Sequence, residues 1–225
     1  VKKIAAIIPA RGGSKGIPNK NLINFCGQPL LLHTIQQSLL SYYISDVFVS
    51  SDCDKILTVA TNNGAQAIKR PKKYSTDESQ SELAIKHFLS LKSSYDIIVF
   101  LQATSPLRET RDIDNAIKKF INNKYDSLFS ATNAEDSFIW SMSDNKIKSL
   151  TYDYKDRKRR QDISNLLLEN GSFYIFEAKG FGTFNNRLFG NIGFFVMEAW
   201  KKYEIDNLSD LQICELIYKN RMKNG

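Results

Sequence analysis

Residues Ile4–Leu22 read IAAIIPARGGSKGIPNKNL, and the fold depends on how this stretch is parsed. The apolar, β-branched run from Ile4 to Ile8 is cut by Pro9 and followed by Gly12, Gly13 and Gly16, which predicts a buried strand feeding a loop. Glycines let a backbone turn tightly and bring its N–H groups close to an anion, and Arg11, Lys15 and Lys20 add three positive charges within ten residues. Such a loop suits a polyphosphate. It lacks the GxxxxGK[ST] spacing of a P-loop and the GxGxxG spacing of a dinucleotide fold, so the phosphate logic is kept under a different pattern.

Downstream, strands and helices alternate. Helical spacing covers Pro29 to Tyr43, Asp52 to Asn63 (closed by Gly64), Ser79 to Lys92 and Arg111 to Asn123. Short apolar strands are predicted over Asp46 to Ser50, Ala65 to Lys69, Asp96 to Leu101 and Ser127 to Thr132, of which DIIVFL at Asp96–Leu101 is the clearest central one. This alternation predicts an α/β fold, an open doubly wound sheet with helices on both faces. Ligands of such sheets sit at the carboxyl ends of the strands, and Arg11, Arg70 and Gln102 each follow a predicted strand. One crevice is expected to gather them.

From Asn133 to about Gly190 the alternation breaks, and this stretch is expected to build something other than the sheet. It holds Trp140, short alternating segments from Lys146 to Tyr154, the run KDRKRRQ at Lys155–Gln161, a turn signal at Glu169-Asn170-Gly171 and the strand-like aromatic run Ser172–Phe176. Phe194 to Met197 then resumes an apolar strand, and a last helix is expected from Leu208 to about Tyr218. A single domain over residues 1–225 follows, with an excursion within it over about 133–190.

The chain carries 31 Lys and Arg against 24 Asp and Glu, a formal charge of +7, compatible with nucleic acid, a membrane surface or small anionic substrates. The basic residues are scattered apart from KRPKK at Lys69–Lys73 and KDRKRR at Lys155–Arg160, with no RNP-like or zinc-finger pattern, so neither a nucleic acid nor a membrane is the expected partner. Cys26, Cys53 and Cys214 are odd in number and lack a CxxC pair, which fits a reducing cytoplasm and excludes a disulfide framework. His33 and His87 fall in predicted helices, where packing or surface roles are expected. Glu204-Ile205-Asp206 sets two carboxylates on one face of an extended segment, where both could reach one hard cation or could simply form a solvated edge, with Asp206 or Ser209 capping the next helix.

As a whole string, PARGGSKGIPNKN closely resembles the signature of the CMP-sialic acid synthetase (N-acylneuraminate cytidylyltransferase) family. Five further motifs of that family follow in order: Arg70-Pro71, Leu101–Arg108 (LQATSPLR), Arg160-Gln161, Asn170-Gly171 with Tyr174, and Glu204-Ile205-Asp206. The resemblance implies a Rossmann-like nucleotidyltransferase sheet with a β-rich dimerisation insert, and transfer of CMP from CTP to the anomeric hydroxyl of a nonulosonic acid. It implies that Ala10, Arg11, Gly12, Gly13, Ser14, Lys15, Gly16, Lys20, Asn21, Arg70 and Ser81 bind the nucleotide, with Arg11 and Lys20 on the triphosphate. Gln102, Arg160, Asn170 and Tyr174 are implied to hold the sugar, and Glu204 and Asp206 a magnesium ion (Mg2+) at the α-phosphate; Arg11, Lys20, Glu204 and Asp206 would carry the catalysis. The insert is implied to reach over a second copy and complete its sugar site, and Trp140, Phe173 and Tyr174 are its expected interface aromatics.

Departures from the family pattern bear on the sugar. Glu204 stands where the family has Asp, and Ala103 where it has Pro. N-acetylneuraminate and legionaminate are the implied substrates. Synthetases for pseudaminate, which commonly carry a larger basic residue where Gly16 stands, and for Kdo, whose phosphate loop differs from Ser14–Asn21 (SKGIPNKN), are the enzyme alternatives. A basic α/β nucleic-acid-binding module and a noncatalytic sugar-nucleotide binder are the alternatives outside catalysis.

Overall fold

The computed structural model describes residues 2–14, 16–75, 81–134, 138–157, 159 and 166–222. The expected opening strand is β1 (Ile4–Pro9), followed after the loop by a two-residue ribbon, β2 (Asn24–Phe25) with β3 (Gln28–Pro29), which the sequence does not announce. Helix α1 (Leu30–Leu39), β4 (Asp46–Ser51), α2 (Asp54–Asn62), β5 (Gln66–Lys69), α3 (Ser81–Leu91), β6 (Ile97–Leu101), α4 (Thr110–Asn122) and β7 (Ser127–Asn133) follow within two residues of the expected positions, α1 ending earlier than periodicity suggests. A hairpin of β8 (Trp140–Ser143) and β9 (Lys146–Ser149) comes next, then β10 (Leu167–Glu177), α5 (Ala178–Phe184), β11 (Ile192–Val196) and α6 (Leu208–Met222).

Seven strands form one sheet in the order β11-β7-β10-β6-β1-β4-β5. β1 pairs in parallel with β4 and β6, β4 with β5, and β11 with β7, whereas β10 pairs antiparallel with both β6 and β7. The core lies on both faces. Ile4, Ala6, Ile8, Val49, Val99, Leu101, Phe173 and Ile175 meet apolar residues of α1, α2 and α4 on one face, while Ala5, Ile7, Phe48, Phe100, Tyr174 and Phe176 meet those of α3 and α5 on the other. Successive residues of each central strand therefore enter opposite layers, which is why β1 and β6 read as unbroken apolar runs.

Two expectations are corrected here. The stretch from Asn133 to Gly190 does not all leave the sheet: Leu167–Glu177 returns between β6 and β7 as β10, leaving the β8–β9 hairpin as the excursion among the described residues. Its aromatic alternation is that of a strand buried on both faces, so Phe173 and Tyr174 are core residues rather than interface aromatics, at 0% and 3% exposed. The apparent turn at Glu169-Asn170-Gly171 is a register shift inside β10, with Gly171 at φ +65°, where a bulge needs a residue without Cβ. Second, the cap of α6 is neither Asp206 nor Ser209. Asn207 accepts from the Asp210 amide at 3.0 Å, and Asp210 accepts in return from the Asp206 and Asn207 amides.

The C-terminal segment is anchored by a buried cation. Lys201, in the 3-10 turn Ala199–Lys202, has no exposed side-chain surface and pairs with Asp112 at 2.8 Å, Glu109 at 2.5 Å and Glu198 at 2.5 Å. Asp112 also accepts from the Glu109 amide at the start of α4, so the ammonium ties that helix end to the strand-to-helix connection after β11. Lys201→Met is expected to leave Asp112 buried among like charges and to lower unfolding stability by about 3 kcal/mol. Urea denaturation checks this, and a variant as stable as the parent would show that the cluster contributes nothing.

Candidate active site

The strand order reverses direction at β1, whose neighbours β4 and β6 lead to opposite sides of the sheet. A crevice must open above the carboxyl ends of such strands, because the connections leaving them diverge. A cleft of about 260 Å³ lies there, lined by Pro9, Arg11, Gly13, Ser14, Lys20, Asn21, Arg70, Tyr74, Ser75, Ser81, Gln102, Ala103 and Thr104. Arg11 comes from the loop after β1, Lys20 and Asn21 from the 3-10 turn Lys20–Leu22, Arg70 from the end of β5, Ser81 from the first residue of α3 and Gln102 from the end of β6. The single crevice expected from the sequence thus gathers its three strand-end residues.

The loop is held from beneath. The Gly12 amide donates to Asp52 Oδ1 at 2.9 Å and the Ala10 amide to the Ser50 carbonyl at 3.0 Å, so these two N–H groups are spent on the scaffold. Asn21 is 8% exposed and its Nδ2 donates to the Arg11 carbonyl at 2.9 Å, which clamps the loop against the turn that carries Lys20. A Cβ at Gly12 would press on Cys53, and one at Gly16 would overlap the Asp206 carbonyl oxygen. Gly16 is therefore the point where the phosphate-type loop touches the carboxylate segment. Lys15 and Arg160 lie outside the described residues.

Three cations face this cleft from three elements. Arg70 is nearly buried; burial lowers its guanidinium pKa, Asp52 opposes that and Arg11 adds to it, and its Nε donates to Ser75 Oγ at 2.9 Å. Lys20 Nζ sits 2.8 Å from Asp206 Oδ1. Asp206 is exposed while Glu204 is largely enclosed, and Ile205 between them is fully buried, with its amide donating to the Thr104 carbonyl at 2.8 Å. The extended Glu204–Asp206 segment thus hangs from the same β6–α4 loop that supplies Gln102, Ala103 and Thr104.

Gln102 Nε2 donates to the Gly171 carbonyl at 2.5 Å, and a Cβ at Gly171 would collide with both Glu204 and Gln102. Tyr174 is in the core at 3% exposed and is not among the residues lining the cleft; its hydroxyl donates to Glu169 and its ring lies 4.2 Å from the Arg187 guanidinium. Asn170 does not reach the cleft. It is buried at 4%, accepts from Ser130 Oγ at 2.6 Å and from the Ser172 amide at 3.3 Å, and places Nδ2 3.3 Å from Met197 Sδ. Its position makes it a support of the β10 bulge. Sequence reasoning assigned no role to Asp52, Arg108 or Arg187; only Arg108 carried a signal, as the last residue of LQATSPLR.

His33 is packed at α1 with Nε2 2.8 Å from the Phe25 carbonyl oxygen, while His87 of α3 has its ring 5.8 Å from that of cleft-lining Tyr74, and burial and the Arg70 charge lower its pKa. Among the described residues, the one group of three or more carboxylates close enough to share a metal is Glu109, Asp112 and Glu198, and it already encloses the Lys201 ammonium. Glu204 and Asp206 form a different donor set. Burial and the Asp206 charge push the Glu204 carboxyl up to about 7, with Lys20 and Arg108 opposing the rise. Two neighbouring carboxylates that repel each other, one of them paired with the cleft-lining Lys20, fit a hard divalent cation that completes its shell with water and phosphate oxygens.

The raised Glu204 pKa has a definite sign. The folded chain holds that proton more tightly than the unfolded chain, whose carboxyl sits near 4.5, so this contribution to stability is full below pH 4.5 and is lost as pH rises through 7. The difference corresponds to roughly 3 kcal/mol. In a chelator, Glu204→Gln is therefore expected to gain stability relative to the parent between pH 5 and pH 8, read as a widening gap in urea midpoints. Parallel curves would refute the assignment.

A model of the family described as cytidylyltransferase matches residues 5–223. A pseudaminic acid cytidylyltransferase of Campylobacter jejuni (strain 81-176) is 32% identical over 224 residues, covering 96% of this chain and 97% of the relative. N-acylneuraminate cytidylyltransferase B of Danio rerio is 35% identical over 94% of this chain, and N-acylneuraminate cytidylyltransferase of Escherichia coli O18:K1:H7 is 32% identical over 98%. The chain spans about half the length of these two, at 50% and 54%. Among solved structures, a CMP:2-keto-3-deoxy-manno-octonic acid synthetase complexed with CTP superposes with a TM-score of 0.75 at 17% identity, over 97% of this chain and 99% of that one. A 4-diphosphocytidyl-2C-methyl-D-erythritol synthase gives 0.69 at 13% identity, over 97% and 100%, and both are likenesses of fold. The match along nearly the whole chain, on a sheet that opens its cleft at the end of β1, means that the chain belongs to the cytidylyltransferase family of nucleotidyl-transferring enzymes.

Proposed function

We propose that the chain transfers CMP from CTP to the anomeric hydroxyl of a nonulosonic acid of the sialic acid type, N-acetylneuraminate or legionaminate, and releases pyrophosphate. The observation that carries this reading is the convergence of Arg11, Lys20, Arg70 and Gln102 on one cleft beside the Glu204–Asp206 segment. The anomeric oxygen attacks the α-phosphorus and its hydroxyl proton passes to solvent water; the new P–O bond forms as the bond from that phosphorus to the bridging oxygen of the β-phosphate breaks, and pyrophosphate departs with the electron pair. No side chain need become covalently attached, and positioning plus charge stabilisation supplies the acceleration.

Each residue has a part in that reading. Gly13 and Ser14 offer backbone to the triphosphate, Arg11 and Lys20 neutralise it, and Asn21 keeps the Arg11 carbonyl from drifting into the site. Arg70, Tyr74, Ser75 and Ser81 form the other end of the cleft, suited to the nucleoside. Glu204 and Asp206 are the residues that would hold Mg2+, which when bound withdraws charge from the phosphate oxygens. Lys20 now pairs with Asp206, so nucleotide binding exchanges that partner for phosphate. Gln102, which lines the cleft, is the residue assigned to the sugar acid. Three free cysteines support a reducing, cytoplasmic setting, and no helix among the described residues is long and apolar enough to cross a membrane.

A pseudaminate substrate is the second reading, favoured by the similarity to the Campylobacter enzyme along nearly the whole of both chains. Against it stands Gly16, packed on the Asp206 carbonyl with no space for a larger side chain on this backbone. Pyrophosphate release with CTP and magnesium, offered N-acetylneuraminate, diacetyllegionaminate, diacetylpseudaminate and Kdo in parallel, separates them. Turnover of one of the first two, lost with a chelator and lowered about 100-fold by Lys20→Met, is the expected result; turnover of diacetylpseudaminate alone would establish the second reading instead.

We also infer a homodimer in which the excursion after β7 lends Arg160 to the sugar carboxylate of its partner, a pairing suited to a planar guanidinium. Exposed Met142 and Ile147 on the β8–β9 hairpin, 79% and 69% accessible, support a covered surface. In that arrangement Glu204→Gln and Arg160→Ala chains, each inactive alone, are expected to recover about a quarter of parental activity when unfolded and refolded together, because half the dimers then contain one intact site. Failure of the mixture to exceed either variant would place Arg160 in its own subunit's site.

A further inference from the structure

Arg108 is the largest fully buried side chain of the described residues, 2% exposed, at the end of the β6–α4 loop. Its fork is spent on three separate segments. Nη1 donates to the Ser172 carbonyl at 2.8 Å and to Ser172 Oγ at 3.1 Å, while Nη2 donates to the Gln102 carbonyl at 2.9 Å and to Thr34 Oγ1 of α1 at 2.5 Å. Gln102 and Ser172 flank one place: the Gln102 amide N–H donates to the Ser172 carbonyl at 3.1 Å, and the Gln102 side chain reaches the Gly171 carbonyl.

We propose that Arg108 is the positioning residue for the sugar side of the cleft, a buried guanidinium that locks the Gln102 loop to the Gly171–Ser172 bulge of β10. The assignment of that side to the sugar rests on the reading under Proposed function. The bulge breaks the β10–β7 ladder between Glu169 and Tyr174, and the β10–β6 ladder runs as far as Phe173–Leu101 with one further backbone bond from the Gln102 amide to the Ser172 carbonyl, so Gly171 lies where neither ladder is regular. The fork supplies what the missing ladder bonds do not. The space where a Cβ at Gly171 would stand is taken by Glu204 and Gln102, so the bulge and these two side chains fit together only with glycine there.

The chemistry of the side chain fits this task. A guanidinium offers several donors in one rigid plane and can meet carbonyl and hydroxyl oxygens of separate segments at once, whereas an ammonium is a compact point donor. Burial brings the Arg108 pKa down to about 9, with Asp112 and Glu204 opposing, so the group remains a cation at neutral pH. Its acceptors lie on β10, on α1 and at the start of the β6–α4 loop, the segments that meet at Gln102. A residue that merely filled the core would affect both sides of the cleft alike.

The test pairs Arg108→Lys, which keeps the charge and loses the fork, with Thr34→Val, which removes one acceptor. Two readouts are taken on each folded variant: amide hydrogen exchange by segment, and KM for CTP and for the sugar acid that the parent turns over. Exchange is expected to rise about tenfold at 102–105 and 170–173 together while 11–14 and 20–22 stay unchanged, a local opening rather than a global one. The sugar KM is expected to rise about tenfold with the CTP KM within twofold, more strongly in Arg108→Lys than in Thr34→Val. Uniform acceleration across the sheet, or equal movement of both KM values, would overturn the proposal, as would no change in either. If the parent turns over none of the sugars, the reading of the site fails while the exchange pattern still decides the role of Arg108. If Arg108→Lys does not fold, Thr34→Val carries both readouts.

Discussion

The reversal of strand order at β1 is the constraint from which the rest follows. With β4 on one side and β6 on the other, the connections leaving β1 and β4 lead toward the β5 edge and the connection leaving β6 leads toward β7, so backbone does not fill the space between the carboxyl ends of β1 and β6. Everything placed in that space arrives on a loop. The site is therefore assembled from short, separately held segments: the turn after β1 clamped by Asp52 and Asn21, Arg70 at the end of β5, the β6–α4 loop, and the Glu204–Asp206 segment hung on Thr104.

Buried charge does much of the holding. The chain is basic, with a formal +7, yet three of its cations are turned inward: Arg70, Arg108 and Lys201. Each is paid for by named partners, Ser75 for Arg70, carbonyl and hydroxyl oxygens for Arg108, and three carboxylates for Lys201. Their differing surroundings separate their roles. Lys201 is neutralised by direct ion pairs to Glu109, Asp112 and Glu198 and joins the start of α4 to the connection after β11. Arg108 has mainly uncharged acceptors and sits directly behind the cleft wall, where its charge also favours ionised Glu204. Arg70 alone of the three lines the cleft itself.

Several features were legible in the residues because they depend on local pattern. The continuous apolar runs of β1 and β6, the helical spacing of α2 to α4 and the Gly-rich basic loop each report a periodicity or a backbone requirement that a short window contains. The strand-end positions of Arg11, Arg70 and Gln102 were enough to expect one crevice. The failures share the opposite property. β10 was read as part of an excursion because a strand that returns from a long connection and inserts antiparallel between β6 and β7 leaves no mark of its neighbours in its own sequence. Phe173 and Tyr174 were read as interface aromatics for the same reason: a buried aromatic strand and a sticky surface have one composition. Asn170 stands within a motif and beside the cleft, but its amide is turned to Ser130 and Ser172.

By itself the sequence determined the alternation of elements, the phosphate-suited loop, the paired carboxylates of Glu204 and Asp206, and the family to which these strings belong. Each is encoded in residues near one another along the chain. Only the tertiary structure decided that β10 completes the sheet, that Asp52 and Arg108 brace the two sides of the cleft, that Gly16 rests on the Asp206 carbonyl and that Asn170 serves the bulge rather than the cleft. These are contacts between residues 40 to 190 positions apart, such as Gly12 with Asp52 and Gly16 with Asp206. Nothing in local propensity records them, because the energy that selects them comes from burying polar groups only where distant partners satisfy them.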